Sequence, residues 1–372
     1  MSHRIAIDTR KVRDFGIGTY IRNLVQGLAE LDDENHYLLL VGPGGKEALG
    51  PLPERFELVQ EKAPVYSIRE LLKLSWKLRS LEADLYHATH YVLPAVVPCR
   101  AVVTIHDIIH LLYPEFLPNR LAFFYAQAMI RRSLSRGDRV ITVSRNTRKD
   151  LLRFFEVEEE KIQVVYNGVE EQFHRILAPE DLERWAQQLE LPNPYLLFVG
   201  NPKPHKNLDV VLQAYAKARE IEGFDAPLVC VGGKSEANLK IRQRAETLGI
   251  SEKLKMLGHV ASEALPAIYQ GASLFLYPTL YEGFGLPVVE AMASGTPVIT
   301  SNTSALQEIG EGYAELVDPL DVDAMGRAVA RLMGDPERRE ALRERGMKRA
   351  RDFSWGRTAR ETLEIYRDVL EA

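Results

Sequence analysis

Cysteine and long apolar runs are scarce in this chain of 372 residues, and the chain has no excess of positive charge. With only Cys99 and Cys230, a disulfide framework and a C-x-x-C metal site are excluded, and we expect a cytoplasmic protein. Lys and Arg total 47 against 52 Asp and Glu, a net charge of -5, which argues against a general nucleic-acid-binding protein. Apolar runs stay below the ~18 residues of a membrane span, and the start, MSHRIAIDTR, lacks a signal-peptide pattern, so we expect any membrane contact to be peripheral.

Apolar residues make up 46% of the chain, enough for a sizeable core, and the length predicts about two domains. Short apolar runs alternate with longer segments of helical periodicity, a pattern typical of parallel sheets covered by helices on both faces. The sequence therefore predicts two Rossmann-like doubly wound α/β domains facing a cleft, with ligands bound at the carboxyl ends of the strands. The predicted strands are RIAIDT, HYLLLVG, ADLYHAT, AVVTIHD, RVITVS and IQVVYNG in the first half, and YLLFVG, PLVCVGG, LKMLGHV, SLFLYPT, TPVITS and YAELVDP in the second.

A polar segment interrupted by prolines separates the two series of strands and predicts the domain junction. We expect an N-terminal domain over residues 1–172, a linker over 173–190 and a C-terminal domain over 191–352. The last segment, 353–372, is predicted to form an amphipathic helix that begins after Ser354 and returns toward the N-terminal domain.

The stretch LYPTLYEGFGLPVVEAMASGTPVI holds two glutamates, Glu282 and Glu290, on either side of a glycine-rich turn. A strand, a loop and a helix with Pro287 near its start are predicted here, with Glu290 in the first helical turn. Gly283 and Gly285 permit close approach of the backbone to a ligand, and the N–H groups of the helix start favour anionic oxygens. Carboxylates accept hydrogen bonds from vicinal hydroxyls, so the combination indicates a nucleotide sugar. Taken alone, the pair would also fit a helix-dipole contact and a solvated loop residue.

Two further segments contain candidate site residues at strand ends. In FVGNPKPHKNLDVVLQAYA, Asn207 is predicted to cap a helix, which places Lys206 at a helix N-terminus. In IAIDTRKVRDFGIGTYIRNLVQGLAEL, a loop with Gly16 and Gly18 is predicted between a strand and a helix; the third glycine of the dinucleotide fingerprint is missing, which disfavours NAD binding. His106 lies at the carboxyl end of the buried run AVVTI.

The segment YEGFGLPVVEAMASGTPVI closely resembles the Glu-to-Glu signature of the retaining glycosyltransferases of family 4, which have the two-domain GT-B fold, and the resemblance extends over nearly the full length. GNPKPHKN is most similar to mannosyl-transferring members. The resemblance implies that Glu290 binds the donor ribose and that Glu282 contacts the donor sugar ring. It also implies that Lys206 neutralises the diphosphate and that His106 contacts the donor sugar and supports the transition state.

Further donor-binding positions are predicted: Gly16, Gly18, Asn201, Lys203, Val260, Gly283, Phe284, Gly285 and Leu286. Backbone amides of the turn would bind sugar hydroxyls and diphosphate, and Val260 would offer its backbone to the base. Many relatives have an arginine where this chain has Asn201, so the second phosphate ligand stays open between Lys203, His205 and helix dipoles. The remaining histidines of the first half are interpreted as acceptor-side or structural: His87, His90 and His110.

Asp321 and Asp323 form a D-x-D pattern, but they directly precede a helix, where we interpret them as caps rather than metal ligands. No metal and no cofactor are therefore predicted, and the leaving group is expected to be stabilised by Lys206, helix ends and backbone amides.

The predicted function is metal-independent transfer of a hexose from a nucleoside-diphosphate sugar to a hydroxyl of a glycan, glycolipid or small acceptor. Mannose is the first candidate for the hexose, and the expected mechanism is front-face displacement. A double displacement, a UDP-sugar-dependent glucosyl- or N-acetylhexosaminyltransferase and a non-catalytic sugar-nucleotide-binding protein stay open.

Two segments of the first half, SIRELLKLSWKLRSLEA and NRLAFFYAQAMIRRSLSRGDR, mix basic with aromatic and aliphatic residues. We favour core helices with a solvated face, and peripheral contact with the inner face of the cell membrane stays open. The second segment contains Arg120, Arg131, Arg132, Arg136, Arg139, Phe123, Phe124 and Tyr125.

Overall fold

The computed structural model describes residues 2–222, 224–233 and 235–372. The chain forms two compact units, the first from residues 1–168 with 354–372 and the second from residues 169–353. Residues 173–190, predicted as a linker, belong to the second unit, and most of the predicted C-terminal helix belongs to the first. Among the described residues, no helix combines the length and the apolar character needed to cross a membrane.

The first unit contains a sheet of seven parallel strands: β1 (Arg4–Asp8), β2 (His36–Val41), β3 (Phe56–Gln60), β4 (Leu85–Ala88), β5 (Arg100–Ile105), β6 (Arg139–Thr142) and β7 (Ile162–Val164). Their order is β3-β2-β1-β4-β5-β6-β7, so the direction of winding changes between β1 and β4. Most strands are buried on both faces, as their continuous apolar runs predict. β3 was not predicted, because this edge strand alternates buried Phe56 and Val59 with exposed Glu57 and Gln60.

Six helices cover the first sheet before the chain leaves the unit: α1 (Phe15–Leu31), α2 (Gly45–Leu49), α3 (Ile68–Ser80), α4 (Ile109–Leu112), α5 (Arg120–Arg136) and α6 (Arg145–Phe154). α3 and α5 pack on one core cluster, to which they contribute Leu74 and Leu78, and Ile130 and Leu134. Because both helices bury apolar residues in the same cluster, they cover the same side of the sheet.

The second unit contains a sheet of six parallel strands: β8 (Leu196–Val199), β9 (Leu228–Val231), β10 (Leu254–Gly258), β11 (Leu274–Tyr277), β12 (Val298–Ser301) and β13 (Glu315–Val317). Their order is β10-β9-β8-β11-β12-β13, with the change of direction between β8 and β11. All six strands were predicted from their apolar runs. The prediction of two doubly wound parallel α/β domains is thus confirmed.

The helices of the second unit are α7 (Glu171–His174), α8 (Pro179–Gln188), α9 (Leu208–Glu222), α10 (Ser235–Thr247), α11 (Leu265–Gln270), α12 (Leu286–Ala293), α13 (Ser304–Gly310), α14 (Val322–Gly334) and α15 (Pro336–Ala350). The predicted cap is confirmed for α14, because Asp321 Oδ1 accepts from the Ala324 N–H at 2.8 Å. Asp323 pairs with Lys217. Both aspartates of the D-x-D pattern therefore have structural partners.

The last helix, α16 (Trp355–Glu371), packs on α1 and completes the first unit. Ser354 caps it, as predicted, by accepting from the Arg357 N–H at 3.2 Å. The Tyr366 hydroxyl oxygen lies 2.5 Å from His87 Nδ1, and His87 Nε2 lies 2.8 Å from Thr104 Oγ1. These buried bonds tie α16 to β4 and β5, and burial lowers the pKa of His87 to about 3. His87 is a structural histidine.

Candidate functional site

The change of winding direction in each sheet marks where a doubly wound fold binds ligands, in the loops after the two central strands. In the second unit these loops follow β8 and β11 and contain residues 201–206 and 278–285. The Leu280 N–H donates to the His205 carbonyl at 2.8 Å, which holds the two loops together.

Lys206, Tyr277 and Glu282 form a compact group at this point of the second sheet. Lys206 Nζ lies 2.5 Å from Glu282 Oε1 and donates to the Tyr277 hydroxyl at 2.8 Å. That hydroxyl donates to Glu282 Oε1 at 3.0 Å. The Lys206 and Glu282 side chains are 18% and 14% exposed, so they are accessible at one end while most of their surface is shielded from water. Two predicted site residues are thereby brought together.

The electrostatics of this group fix its protonation. Burial opposes the charge on Lys206, but Glu282 and Tyr277 together outweigh burial and raise the pKa of the ammonium group above its usual value. Burial and the same carboxylate raise the pKa of Tyr277. Lys206 is therefore a fixed cation and Tyr277 a neutral hydroxyl that both accepts and donates.

A glycine turn sets the geometry between Glu282 and α12. Gly285 has a φ of 110°, and a Cβ at this position would lie 2.5 Å from Leu306 Cδ2. Only glycine fits this conformation and this space. Phe284 is buried with its ring against Phe353, at a centroid distance of 5.4 Å. Pro287 has no N–H, and the Val288 N–H donates to the Gly285 carbonyl at 2.9 Å, so the Leu286 N–H and the helix dipole are what this end of α12 offers to an anion.

Glu290 lies in the second turn of α12, and the prediction of the first turn was wrong, because the turn at Gly285 starts the helix at Leu286. Its Oε2 accepts from the Tyr269 hydroxyl at 3.1 Å. Burial, together with the nearby charge of Glu170, raises the pKa of Glu290 to about 7, although the bond from Tyr269 opposes the shift. The carboxyl group is therefore poised to gain or lose a proton near neutral pH.

The other predicted donor-binding residues of the second unit are spread along the carboxyl edge of the sheet. Asn201 and Lys203 lie in the loop after β8, and Lys203 is exposed. Val260 follows β10, which β9 separates from β8, so it lies farther along the edge. Asn207 has a left-handed φ of 58°, and its amide donates to the carbonyls of Pro278 and Pro319 at 2.9 and 2.6 Å. Asn207 directly precedes α9, as predicted, and its carbonyl accepts from the Val210 and Val211 N–H groups at 3.1 and 3.4 Å, while its side chain ties the loop to neighbouring segments.

In the first unit, His106 immediately follows β5. Its Nε2 lies 3.0 Å from the Thr89 carbonyl oxygen, which can only accept, so Nε2 carries the proton and Nδ1 has the lone pair. Burial, with His90 and Lys11 nearby, lowers the pKa of His106 to about 4, against the effect of the Thr89 bond. The ring packs edge-on to Tyr20 at 4.9 Å. His106 is therefore a neutral imidazole with a fixed tautomer.

Gly16 and Gly18 lie inside α1 rather than in a loop, and the predicted loop was wrong at these positions. The helix begins at Phe15, and the Gly18 N–H bonds to the Asp14 carbonyl. A Cβ on Gly18 would lie 2.9 Å from the carbonyl carbon of Val12. Gly18 is therefore required for close packing of the first helical turn against the preceding backbone.

A buried ionic network lies near the carboxyl end of β1. Arg10 Nη2 is 2.5 Å from Asp8 Oδ2 and 2.6 Å from Glu70 Oε1, and His90 Nε2 is 3.5 Å from the same Glu70 oxygen. Asp8, Glu70 and His90 place ligand atoms within 4.8 Å of one another, as a metal site would. Arg10 already supplies a cation between the two carboxylates and balances one of their two negative charges without a metal. Burial opposes ionisation of Asp8, but Arg10 outweighs it and lowers the pKa of Asp8 to about 2.

The basic and aromatic residues of α5 do not form one patch. Phe123 packs against the core cluster, whereas Phe124 is 54% exposed. Arg132 donates to the carbonyls of Pro94 and Ala95, so part of the predicted cluster serves to hold a loop. In the other segment, 67–83, the side chains of Ile68 and Arg69 lie outside the described residues.

Sequence reasoning missed the tyrosines that hold the two glutamates. Tyr277 is the last residue of β11, and its place just before the Glu282 loop was an available signal. Tyr269 lies on α11, 21 positions from Glu290, and no local pattern links the two. Ser304 was also missed; its Oγ accepts from the Glu282 N–H at 3.2 Å.

Residues 16–173 match the protein family described as Glycosyltransferase Family 4, and residues 179–349 match the family described as Glycosyl transferases group 1. The chain is 30% identical over 303 residues to O-antigen chain mannosyltransferase B of Escherichia coli, covering 81% of this chain and 79% of that protein. It is 28% identical over 249 residues to O-antigen chain mannosyltransferase RfbU of Salmonella typhimurium, covering 67% and 65%.

Solved structures share the fold at lower identity. The Anabaena HepE protein, solved in complex with UDP and glucose, superposes with a TM-score of 0.80 over 98% of this chain and 100% of that one, at 18% identity. This likeness shows a common fold.

Proposed function

This chain belongs to glycosyltransferase family 4 and has its two-domain GT-B fold, and we propose that it transfers mannose from GDP-mannose to a hydroxyl of a glycan, glycolipid or small acceptor with retention of configuration. It is a hexosyltransferase, and its relatives support a nucleotide-sugar donor and a glycan acceptor in general. The observation that carries the proposal is the hydrogen-bonded group of Lys206, Tyr277 and Glu282, which lies where the second sheet changes its direction of winding.

We assign the donor diphosphate to Lys206, the sugar ring to Glu282 and the ribose to Glu290. In the free protein the Lys206 charge is shared with Glu282. A bound diphosphate would draw Nζ toward phosphate oxygens and leave Glu282 able to accept from sugar hydroxyls, because a dianion attracts the ammonium group more strongly than one carboxylate does. This exchange of partners would couple binding of the phosphates to alignment of the sugar.

Backbone groups complete the proposed donor site. The Gly285 turn presents the start of α12, and we assign its N–H groups to the diphosphate and the sugar hydroxyls. The proposed backbone and loop contacts are Gly16, Gly18, Asn201, Lys203, Val260, Gly283, Phe284, Gly285 and Leu286. Exposed Lys203 is the side chain that we assign to the second phosphate contact, in place of the arginine of many relatives.

His106 is assigned to the donor sugar. Its neutral ring has the Nε2 proton fixed on the Thr89 carbonyl, so Nδ1 is the atom left to accept a hydrogen bond from a sugar hydroxyl. Such a bond draws electron density toward the sugar and supports positive charge at the anomeric carbon in the transition state.

The proposed reaction is a front-face displacement. The bond from the anomeric carbon to the diphosphate oxygen breaks as the acceptor oxygen bonds to the same face of that carbon. The acceptor proton passes to the departing phosphate oxygen, so nucleoside diphosphate and glycoside are the products. We propose that no metal takes part, because Lys206 and the α12 N-terminus supply positive charge while Asp321 and Asp323 have structural partners.

Mannose and GDP are proposed as donor components because both relatives named above are mannosyltransferases. The deciding test is a thermal-shift panel of GDP- and UDP-sugars, in which a ligand at 100 times its Kd adds about 2.7 kcal/mol to the free energy of unfolding. The largest increase in melting temperature with GDP-mannose would support the proposal. An increase with a UDP-sugar alone would mean that the donor is that UDP-sugar and not GDP-mannose. The preferred donor should also release nucleoside diphosphate slowly without acceptor; a purely binding protein would release none.

Stereochemistry, metal dependence and residue roles have separate readouts. NMR of the product should show the α-anomer from GDP-α-mannose, and EDTA should leave the rate unchanged. Glu290→Ala should weaken nucleotide binding, while Glu282→Ala should lower turnover more than nucleotide affinity. Unaltered kinetics in both variants would overturn the assignment.

We place the enzyme in the cytoplasm, in keeping with its two free cysteines.

A further inference from the structure

Ser304, the first residue of α13, has a strained backbone beside the candidate donor site. Its φ is 55°, a left-handed conformation that glycine adopts freely and serine rarely does. Among the residues that the structure describes, five residues other than glycine have a positive φ, and two of them, Asn207 and Ser304, bond to the loop after β11. Strained backbone concentrates at functional sites. Because glycine would fit here without strain, the reason for a serine lies in its hydroxyl group.

The Ser304 hydroxyl holds the backbone of Glu282. Its Oγ accepts from the Glu282 N–H at 3.2 Å, and the next N–H along α13, that of Ala305, donates to the Glu282 carbonyl at 3.4 Å. Leu306 packs against the following turn, where its Cδ2 lies 2.5 Å from the position that a Cβ would take on Gly285. The first turn of α13 therefore contacts the loop both at Glu282 and at the turn before α12.

The helix α13 is itself fixed at its other end. Arg349 donates to the carbonyls of Ile309 and Glu308 at 3.3 and 3.1 Å, which are the last carbonyls of this helix but one. Its inner face is fully buried through Ala305, Leu306 and Ile309. Because packing and Arg349 fix α13, its bonds to Glu282 restrain the loop rather than the helix.

We propose that Ser304 is a positioning residue that keeps Glu282 aligned with the donor sugar; this inference rests on the sugar contact proposed for Glu282. In the free protein Lys206 and Tyr277 hold the Glu282 carboxylate at 2.5 and 3.0 Å. Once a bound diphosphate draws Lys206 away, the carboxylate loses one of these bonds, while the backbone bond to Ser304 stays. The hydroxyl therefore matters most in the donor complex, and its loss lowers turnover more than donor affinity.

Two substitutions separate the hydroxyl from the strain. Ser304→Gly removes the hydroxyl and relieves the left-handed conformation, whereas Ser304→Ala removes the hydroxyl and keeps the strain. Turnover of GDP-mannose, measured as GDP released without acceptor, should fall about tenfold in both variants, with KM within about threefold of its unaltered value. In urea, Ser304→Ala should unfold at a lower midpoint and Ser304→Gly at a similar one, because relief of strain offsets the lost bond. Equal kinetic losses at unequal stability would assign the effect to the hydroxyl.

Amide hydrogen exchange tests the hold on Glu282 without any donor. In both variants the Glu282 N–H loses its acceptor, so a peptide covering residues 279–285 should contain one amide that exchanges about tenfold faster. The matched control is Glu190→Gly, because Glu190 has a φ of 50° in the same unit but is exposed and lies outside the candidate site. It relieves the same strain and should change neither the exchange of the loop nor turnover.

Unchanged exchange in both Ser304 variants would overturn the proposal. A kinetic loss confined to Ser304→Ala would also overturn it, because the loss would then follow stability rather than the hydroxyl. Glu282→Ala separates this inference from the proposed function. If Glu282→Ala leaves turnover unaltered, the sugar contact and the positioning role fail together; if it lowers turnover and the Ser304 variants do not, the positioning role alone fails.

Discussion

Burial makes Glu290 a proton-sensitive residue in the proposed nucleotide site. Its pKa in the free protein is raised to about 7. Ribose hydroxyls donate to a carboxylate, so binding favours the ionised form, and nucleoside diphosphate affinity should fall by up to about tenfold per pH unit below pH 7. Calorimetric titrations between about pH 5 and 8 would measure this slope, which Glu290→Gln should abolish. An identical slope in the variant would contradict the ribose assignment, and exposed Glu311→Gln is the control for loss of charge alone.

The same raised pKa has a consequence for stability. A folded-state pKa above the unfolded value contributes stability that is full below the unfolded pKa and is lost as pH rises through about 7. Glu290→Gln should therefore raise the free energy of unfolding of the ligand-free protein by about 3 kcal/mol at pH 8 and change it little at pH 4. Urea unfolding at both pH values would measure the difference, and equal gains at both would contradict it.

Tyr277 is a positioning residue that acts through Lys206 and Glu282. Tyr277→Phe removes the hydroxyl that bonds both, and we expect kcat to fall about tenfold with a smaller change in KM, since about 1.4 kcal/mol of alignment is lost. The matched control is Tyr215→Phe, which removes a buried 2.9 Å bond to the Ala226 carbonyl in the same unit. Both variants should lose similar stability, but a kinetic loss of equal size in both would refute the positioning role.

At the residue scale, the sequence predicted which residues belong to the candidate site better than it predicted which of them contact one another. Lys206 and Glu282 were each predicted from their place after a strand, yet they are 76 positions apart, and their direct pairing follows only from the neighbouring positions of β8 and β11. Strand order is set by packing across the whole sheet, which no local pattern encodes. Their contact could therefore not be predicted from the motifs alone.

At the scale of elements, prediction succeeded where burial dominates the local sequence. Strands that are covered on both faces have continuous apolar sequences and were predicted. β3 lies at the edge of its sheet and has both buried and exposed residues, so it was missed. The start of α1 was also misplaced, because Gly16 and Gly18 were interpreted as loop formers. Glycine serves both flexible turns and close helix packing, and only the proximity of Val12 distinguishes the two uses.

The turn before α12 tests how an element presents the proposed donor site. Gly285→Ala should destabilise the protein by about 2 kcal/mol and strongly weaken donor binding, because the left-handed φ is strained for alanine and its Cβ would meet Leu306. Gly312→Ala is matched in conformation, with a φ of 80°, but no atom lies within 4 Å of its Cβ. It should lose about 1 kcal/mol and keep donor affinity. Chemical denaturation and donor titration measure the two effects; weakened binding in both variants would contradict a local role for the turn.

At the scale of the whole molecule, the chain leaves the first unit after Gly168 and returns to it at Ser354. The return places α16 on α1 and bonds Tyr366 to His87, so residues at the end of the chain complete a unit built mainly from its first 168 residues. The Thr358 hydroxyl donates to the Tyr166 carbonyl at 2.7 Å beside this crossing. The C-terminal residues are therefore part of the packing of the first unit, and their contribution to its stability can be tested at one glycine.

Gly168→Ala should destabilise the first unit by about 2 to 4 kcal/mol, because a Cβ there would lie 2.5 Å from the Ser354 carbonyl carbon and 2.7 Å from Trp355 Cα. The obstacle is backbone, so relief requires α16 to shift as a whole. Gly356→Ala, one residue into the same helix from Trp355, meets no atom within 4 Å and should instead stabilise the helix by up to about 1 kcal/mol. Urea unfolding of the intact chain, followed by circular dichroism, would measure both. Gly168 meets the backbone of Trp355 in space, and Gly356 follows Trp355 in sequence. Opposite signs for the two changes would locate the effect in the docking of α16, whereas losses of equal size would mean that the C-terminal helix tolerates displacement and does not hold the first unit together.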